Sequence, residues 1–348
     1  MEEELTAVSP PPAAATILYH TPPPPAKERT ALWLLLAVIT GFMLPVCACG
    51  VLAVAGLTGI GVLGSGSAYT ASGIGDAVAV VRVEGTILGG DETDSSTNAV
   101  SGTVISQLQA AAADPTVKAI ILRVDSPGGS VTGSAQIWEA INKLEKPVVA
   151  SMAGVAASGG YYVSAPADYI IARPDTLTGS LGVIMTLYDA TELIEKAGIK
   201  VIDITSGENK AIGSMFAEMT PEQRQILEGL ATESYNEFVR IIAEGRGMSE
   251  AEVLPLADGR VYSGRQALEN GLVDTLGDFD EAVQKAAELG GITVEPRIVE
   301  YEQLPSITKI LSSFSTQLGK TEADRALELF SELTAPKLEY RYVGPGAE

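Results

Sequence analysis

Lys118-Ala119-Ile120-Ile121-Leu122-Arg123-Val124-Asp125-Ser126-Pro127-Gly128-Gly129-Ser130 begins as an apolar, β-branched run and ends on a pair of glycines. Ala119–Val124 leaves almost no polar side to the strand, as in a parallel sheet covered on both faces. Beyond the glycines, Ser130–Leu144 places its apolar residues at helical spacing. Strand, Gly-rich turn and helix therefore follow one another without a linker. The same rhythm recurs on either side. Ala77–Val83, Val148–Ala150 and Tyr169–Ala172 read as strands, and Thr103–Ala112 as a helix. This alternation predicts an α/β layered fold.

Further along, Thr220-Pro221-Glu222-Gln223 carries the signals of a helix start: a capping hydroxyl, proline at the first helical position and Gln223 to close a capping box. That helix is expected to bury Ile226, Leu227, Leu230, Phe238 and Ile242 and to end near Gly245. A strand is expected at Val201–Thr205.

The 348 residues are 46% hydrophobic and carry a formal charge of −21. Such acidity repels phosphate backbones and argues against a nucleic-acid partner. From Thr30 to Gly75 no residue is charged, and the apolar core of this stretch, 31–64, exceeds the roughly 20 residues a spanning helix needs. It is too long for a cleaved secretory signal, which favours an uncleaved transmembrane anchor. Lys27 and Arg29 precede it, so 1–30, a Pro-rich disordered tail, is expected in the cytoplasm and the remainder outside. Pro45 leaves a hairpin open as the alternative to a single span. Residues 65–75 read as a linker, 76–293 as the catalytic domain and 294–348 as a helical and strand extension.

The one histidine, His20, precedes the apolar run, and both cysteines, Cys47 and Cys49, lie inside it. The soluble part therefore has neither a Ser-His-Asp relay, nor thiol chemistry, nor His-ligated metal, and no cofactor is expected. Ser158, followed by Gly159 and Gly160, sits at a strand-to-helix turn, where it is either a nucleophile or a small residue permitting close packing. The turn at Gly128-Gly129 presents backbone N–H groups and reads as an oxyanion hole or as a purely structural turn. A P-loop is excluded, because no Gly-Lys-Ser/Thr follows. Lys210, in the polar loop Ser206–Gly213, is the candidate base. An exposed lysine, with a pKa of ~10.4, is protonated and useless for that task, so the role requires burial. Ser180, in Thr178-Gly179-Ser180-Leu181-Gly182-Val183, is placed to orient the lysine.

Ala157–Tyr162, Thr178–Val183 and Lys210-Ala211-Ile212-Gly213-Ser214, with Leu122–Gly129 and the later block Gly259–Asp274, resemble the signature blocks of the signal peptide peptidase A family, the S49 serine peptidases. The resemblance spans roughly 77–293, in order, and the length suggests the short bacterial form with one peptidase domain. It implies a ClpP/crotonase-like superhelix of ββα units. It implies Ser158 as nucleophile, Lys210 as general base and Ser180 as its orienter, with the N–H groups of Gly129 and Gly159 forming the oxyanion hole. It further implies a homo-oligomer with sites near subunit boundaries and the base supplied by a neighbour, acting on remnant signal peptides at the membrane. The chain departs from the family at Asp125, where Asn is usual, and at Ala211 and Met215 beside the lysine. A crotonase-like acyl-CoA enzyme and a non-catalytic membrane scaffold are the competing readings.

Overall fold

Alternate residues of the first strand face opposite cores, and that alternation sets the architecture. In the computed structural model, described for residues 75–90, 98–301 and 337–342, β1 (Ala77–Glu84) turns Ala77, Ala79, Val81 and Val83 to one core and Val78 and Val80 to the other. Two short strands follow, β2 (Ile87–Leu88) and β3 (Ala99–Val100), then helix α1 (Ser101–Ala113). The opening stretch of the sequence becomes β4 (Val117–Ser126), β5 (Gly128–Ser130) and α2 (Val131–Asn142), and the Ser130 side chain accepts from the Gly133 N–H as a cap. Next come β6 (Val148–Ala157), α3 (Gly159–Ser164), β7 (Tyr169–Ala172), β8 (Leu177–Gly179), β9 (Ile184–Thr186) and α4 (Thr191–Lys196). The long helix α5 (Pro221–Arg246) leads to α6 (Glu250–Val253), β10 (Val261–Ser263), α7 (Gly264–Glu269), β11 (Thr275–Leu276) and α8 (Phe279–Leu289). The strands β12 (Arg297–Glu300) and β13 (Lys337–Arg341) complete the described elements.

The main sheet has the order β10-β8-β6-β4-β1-β12, with β7 joined to β6 and β11 to β7. All its pairings are parallel except β10 with β8. Helices α1 and α2 cover one face through Val104, Leu108, Ile137 and Ile141, and α8 covers the other through Ala282, Ala286 and Ala287. The second sheet, β3-β2-β5-β13-β9, is built from short strands that branch off at the ends of the long ones. All described residues fall within one unit, Gly66–Glu348.

One internal tie spans the fold. Arg246, at the end of α5 with a side chain only 8% exposed, donates to both carboxylate oxygens of Asp274 at 2.6 and 3.1 Å. Asp274 also accepts from the Ile170 N–H at 2.7 Å. Burial works against the Arg246 charge, but the Asp274 carboxylate holds the guanidinium above its ordinary pKa.

Two expectations are corrected. Residues 201–205 form no strand: Val201, Ile202 and Ile204 stand exposed, Ile204 at 97%, with no neighbouring strand to pair with among the described residues. Helix α5 starts at Thr220 with the expected capping box, yet only its second half is packed. Phe238 and Ile242 are buried and Leu227 is half-buried, whereas Ile226 and Leu230 are exposed. The expected anchor at 31–64, and the helical part expected within 294–348, lie outside the described residues. Among the described residues, no helix is long and apolar enough to cross a membrane.

Candidate active site

Two neighbouring strands end in strained serines. β6 and β8 run parallel, with Ala157 opposite Gly179, and the next residue of each takes a positive φ: Ser158 at 53° and Ser180 at 50°. Among the described residues these are the two non-glycine positions with positive φ. Such a conformation costs on the order of 1–3 kcal/mol and persists only where the surroundings over-determine it. Here they do. The Ser158 N–H donates to the Gly179 carbonyl at 2.7 Å, and the Ser180 N–H donates to the Arg260 carbonyl at 2.7 Å. From Ser158 the chain turns at once into α3, and the Tyr162 N–H donates back to the Ser158 carbonyl at 2.9 Å. With only six residues, α3 adds little dipole to the site. It is fixed instead by Tyr161, whose hydroxyl donates to the Leu272 carbonyl at 2.7 Å and whose burial raises the phenol pKa.

The Ser158 side chain is an exception in this otherwise bonded region. The residue is 1% exposed and its Oγ has no hydrogen-bond partner. Beside it the glycine turn closes in. Gly128 has φ +93°, and a Cβ there would lie 2.0 Å from the Tyr340 carbonyl oxygen and 2.5 Å from the Gly159 nitrogen, so no other residue fits. A Cβ on Gly159 would lie 3.1 Å from Gly128 Cα and 3.1 Å from the same Tyr340 oxygen. Gly129 is paired with Ile87 on one side and with Tyr340 on the other. Ser158, Ser180, Gly129 and Gly159 are thus brought to one place.

The carbonyl lying over the two glycines belongs to the chain's own β13. The strand expected within 294–348 is therefore part of the site, which the sequence did not indicate. β13 inserts antiparallel between β5 and β9, with Tyr340 opposite Gly129 and Leu338 opposite Met185, and the Tyr342 N–H donates to the Pro127 carbonyl at 2.8 Å. The Tyr340 ring is buried against Tyr162 and Phe238, each 4.8 Å away between centroids. Its hydroxyl donates to the Ser234 carbonyl at 2.8 Å on α5, and its pKa is raised by burial. Nothing in the local sequence marks Tyr162, Phe238 and Ser234 as pocket walls. The capped start of α5 was the available signal, since a helix of 26 residues must pack part of its length against something.

Lys210 is not brought in. It lies in the turn at 206–214, exposed, and the unpartnered Ser158 Oγ shows that its amine does not reach that hydroxyl within the chain. The burial required of a lysine base is therefore not supplied by this chain alone. In the segment that leads up to it, apolar residues are exposed: Leu193, Ile199, Ile202 and Ile204 all face outward. Among the described residues, no three or more His, Cys, Asp or Glu side chains gather into a metal site.

Comparison with known proteins agrees with the sequence blocks that build this site. The family model described as peptidase family S49 matches residues 140–293, and that of Clp protease matches 76–177. The chain is 41% identical over 226 residues to Protease 4 of Salmonella typhi, covering 64% of this chain and 36% of that protein. It is 34% identical over 253 residues to an Enterococcus faecium protein named after signal peptide peptidase SppA, covering 69% and 73%. The chain thus spans little more than a third of the Salmonella protein. Among solved structures, a ClpP1 mutant from Listeria monocytogenes aligns with a TM-score of 0.39 at 18% identity, covering 58% of this chain and 93% of that one.

Proposed function

Since the chain belongs to peptidase family S49, a family of serine-type peptidases, we propose that it is a membrane-anchored endopeptidase with a Ser-Lys dyad, degrading cleaved signal peptides and similar apolar peptides. Ser158 attacks the scissile carbonyl. Its proton passes to the amine of Lys210, and the oxygen turned negative is held by the N–H groups of Gly129 and Gly159. Ser180, one residue beyond the strand that pairs with the Ser158 strand, orients the amine.

The observation that carries this reading is β13. An extended peptide occupies the groove through its backbone, with its Tyr340 carbonyl against Gly128 and Gly159 beside an unbonded Ser158 hydroxyl. A substrate bound in the same way lays its carbonyl at the same point and a large apolar side chain between Tyr162 and Phe238. A groove that takes a polypeptide strand favours a peptide over an acyl-CoA.

Lys210 is contributed by a second copy of the chain. The exposed apolar surface around 193–204 buries against that copy and excludes water from the amine, which a working base requires. The charge-free stretch 31–64, preceded by Lys27 and Arg29, anchors the domain outside the cytoplasm. Hydrolysis of a leucine- and alanine-rich peptide by wild type, Ser158→Ala and Lys210→Ala tests the assignment. Both variants should be inactive, and equal activity in all three rejects it.

A further inference from the structure

A second buried hydroxyl near the scissile position has no partner. Ser134 lies inside α2, fully buried, and its Oγ makes no hydrogen bond. A serine or threonine within a helix ordinarily donates to the carbonyl four residues back. Three others in this protein do so: Ser164 to Gly160 at 2.8 Å, Thr232 to Glu228 at 2.7 Å and Ser234 to Leu230 at 3.2 Å. Ser134 does not. Its hydroxyl is turned to Gly159, and a Cβ on that glycine would lie 2.7 Å from it. The same point lies 3.1 Å from the Tyr340 carbonyl oxygen. The Ser134 hydroxyl and the Tyr340 carbonyl therefore flank the position that a side chain on Gly159 would take. Alanine would fill that space as well, without burying an unpaired donor, so packing alone does not account for the hydroxyl.

We propose that Ser134 is a third oxyanion donor, additional to the N–H groups of Gly129 and Gly159; this rests on the reading of Ser158 as nucleophile. When the Ser158 Oγ–C bond forms, the π pair of the carbonyl moves onto oxygen and the serine proton leaves for the Lys210 amine. The Ser134 O–H then donates a hydrogen bond to the new alkoxide and keeps its own proton. When the intermediate collapses, the carbonyl re-forms and the C–N bond breaks. Its electron pair leaves on the amine, which takes the proton back from the Lys210 ammonium, and the hydrogen bond from Ser134 is then released. A donor idle in the ground state and engaged in the transition state lowers the barrier without tightening substrate binding.

The test compares the full-length protein with Ser134→Ala and Ser134→Cys, alongside Ser158→Ala. Each is assayed for peptide hydrolysis and for binding of a peptide ending in tyrosine aldehyde, which forms a tetrahedral adduct, or in the corresponding alcohol, which does not. In Ser134→Ala, kcat should fall about tenfold or more with KM unchanged, and aldehyde affinity should fall by a similar factor while alcohol affinity holds. If the alanine variant melts early, the cysteine variant, near-isosteric and a weak donor, should show the same split. Unchanged kcat in a folded variant overturns the proposal, as does a parallel loss of aldehyde and alcohol binding, which would mark Ser134 as a packing residue. Activity surviving in Ser158→Ala would instead overturn the underlying reading, so the two failures are distinct.

Discussion

The turn at Ser158 and the loop at Lys210 are built on opposite terms. Around Ser158, backbone groups are bonded, glycines admit no Cβ, and the strain of two positive-φ serines is held by neighbouring strands. At Lys210 the chain makes turns of its own, and in the segment before it apolar side chains stand in water. The first region is complete within one chain. The second leaves apolar side chains uncovered. On the proposed reading, the difference means that a rigid nucleophile is matched to a base left open, and that assembly, rather than folding, brings the dyad together.

Breaking either side should have the largest effect. Ser158→Ala and Lys210→Ala should each lower peptide hydrolysis by at least about 10³-fold. If the base comes from a neighbour, co-assembling the two inactive variants in equal amounts should restore about a quarter of wild-type activity, because that fraction of sites pairs an intact serine with an intact lysine. No recovery on mixing would place the dyad within one chain and erase the contrast. Next in size, Ile204→Asp should cut activity about tenfold or more and shift the assembly toward monomer in sedimentation, while leaving the melting temperature of the isolated chain unchanged.

The rigid side can be probed through stability. Asp274→Ala leaves the buried Arg246 charge and the Ile170 N–H without their acceptor, so it should destabilise the fold by about 3 kcal/mol in denaturant titration. The smallest effect is expected at the sheet edge, where Arg82 donates to both oxygens of Glu300 and holds its carboxyl below the usual glutamate range. A depressed acid stabilises the fold above its unfolded pKa, and that contribution fades as pH falls through the folded value. Glu300→Gln should therefore cost under about 1 kcal/mol at pH 7 and nothing once both forms are protonated near pH 2.

The parts legible from sequence share one property: the information is local. Ile120–Val124 reads as a buried strand, and Thr220-Pro221-Glu222-Gln223 as a helix start, because each signal is complete within a few residues. The parallel sheet followed from such pieces, and the Gly128-Gly129 and Ser158 turns could be marked as neighbours through the resemblance. The strand proposed at Val201–Thr205 failed because alternating apolar residues record only that a surface is to be covered, not by what. The same ambiguity misled the reading of Ile226 and Leu230. The seat of β13 was beyond reach for a different reason. Tyr340 meets Gly129 across more than two hundred residues of chain, and five residues of backbone pairing leave no imprint in either segment.

Strand β13 is held along both edges by peptide groups, with one tyrosine sunk into an aromatic cavity. A cleft of this kind recognises slack polypeptide before it recognises any side chain. A well-folded neighbour, its edges already taken, offers no purchase, while a frayed terminus or a stray helix that has unwound does. On the proposed reading, the choice among substrates is then decided by which of them comes undone.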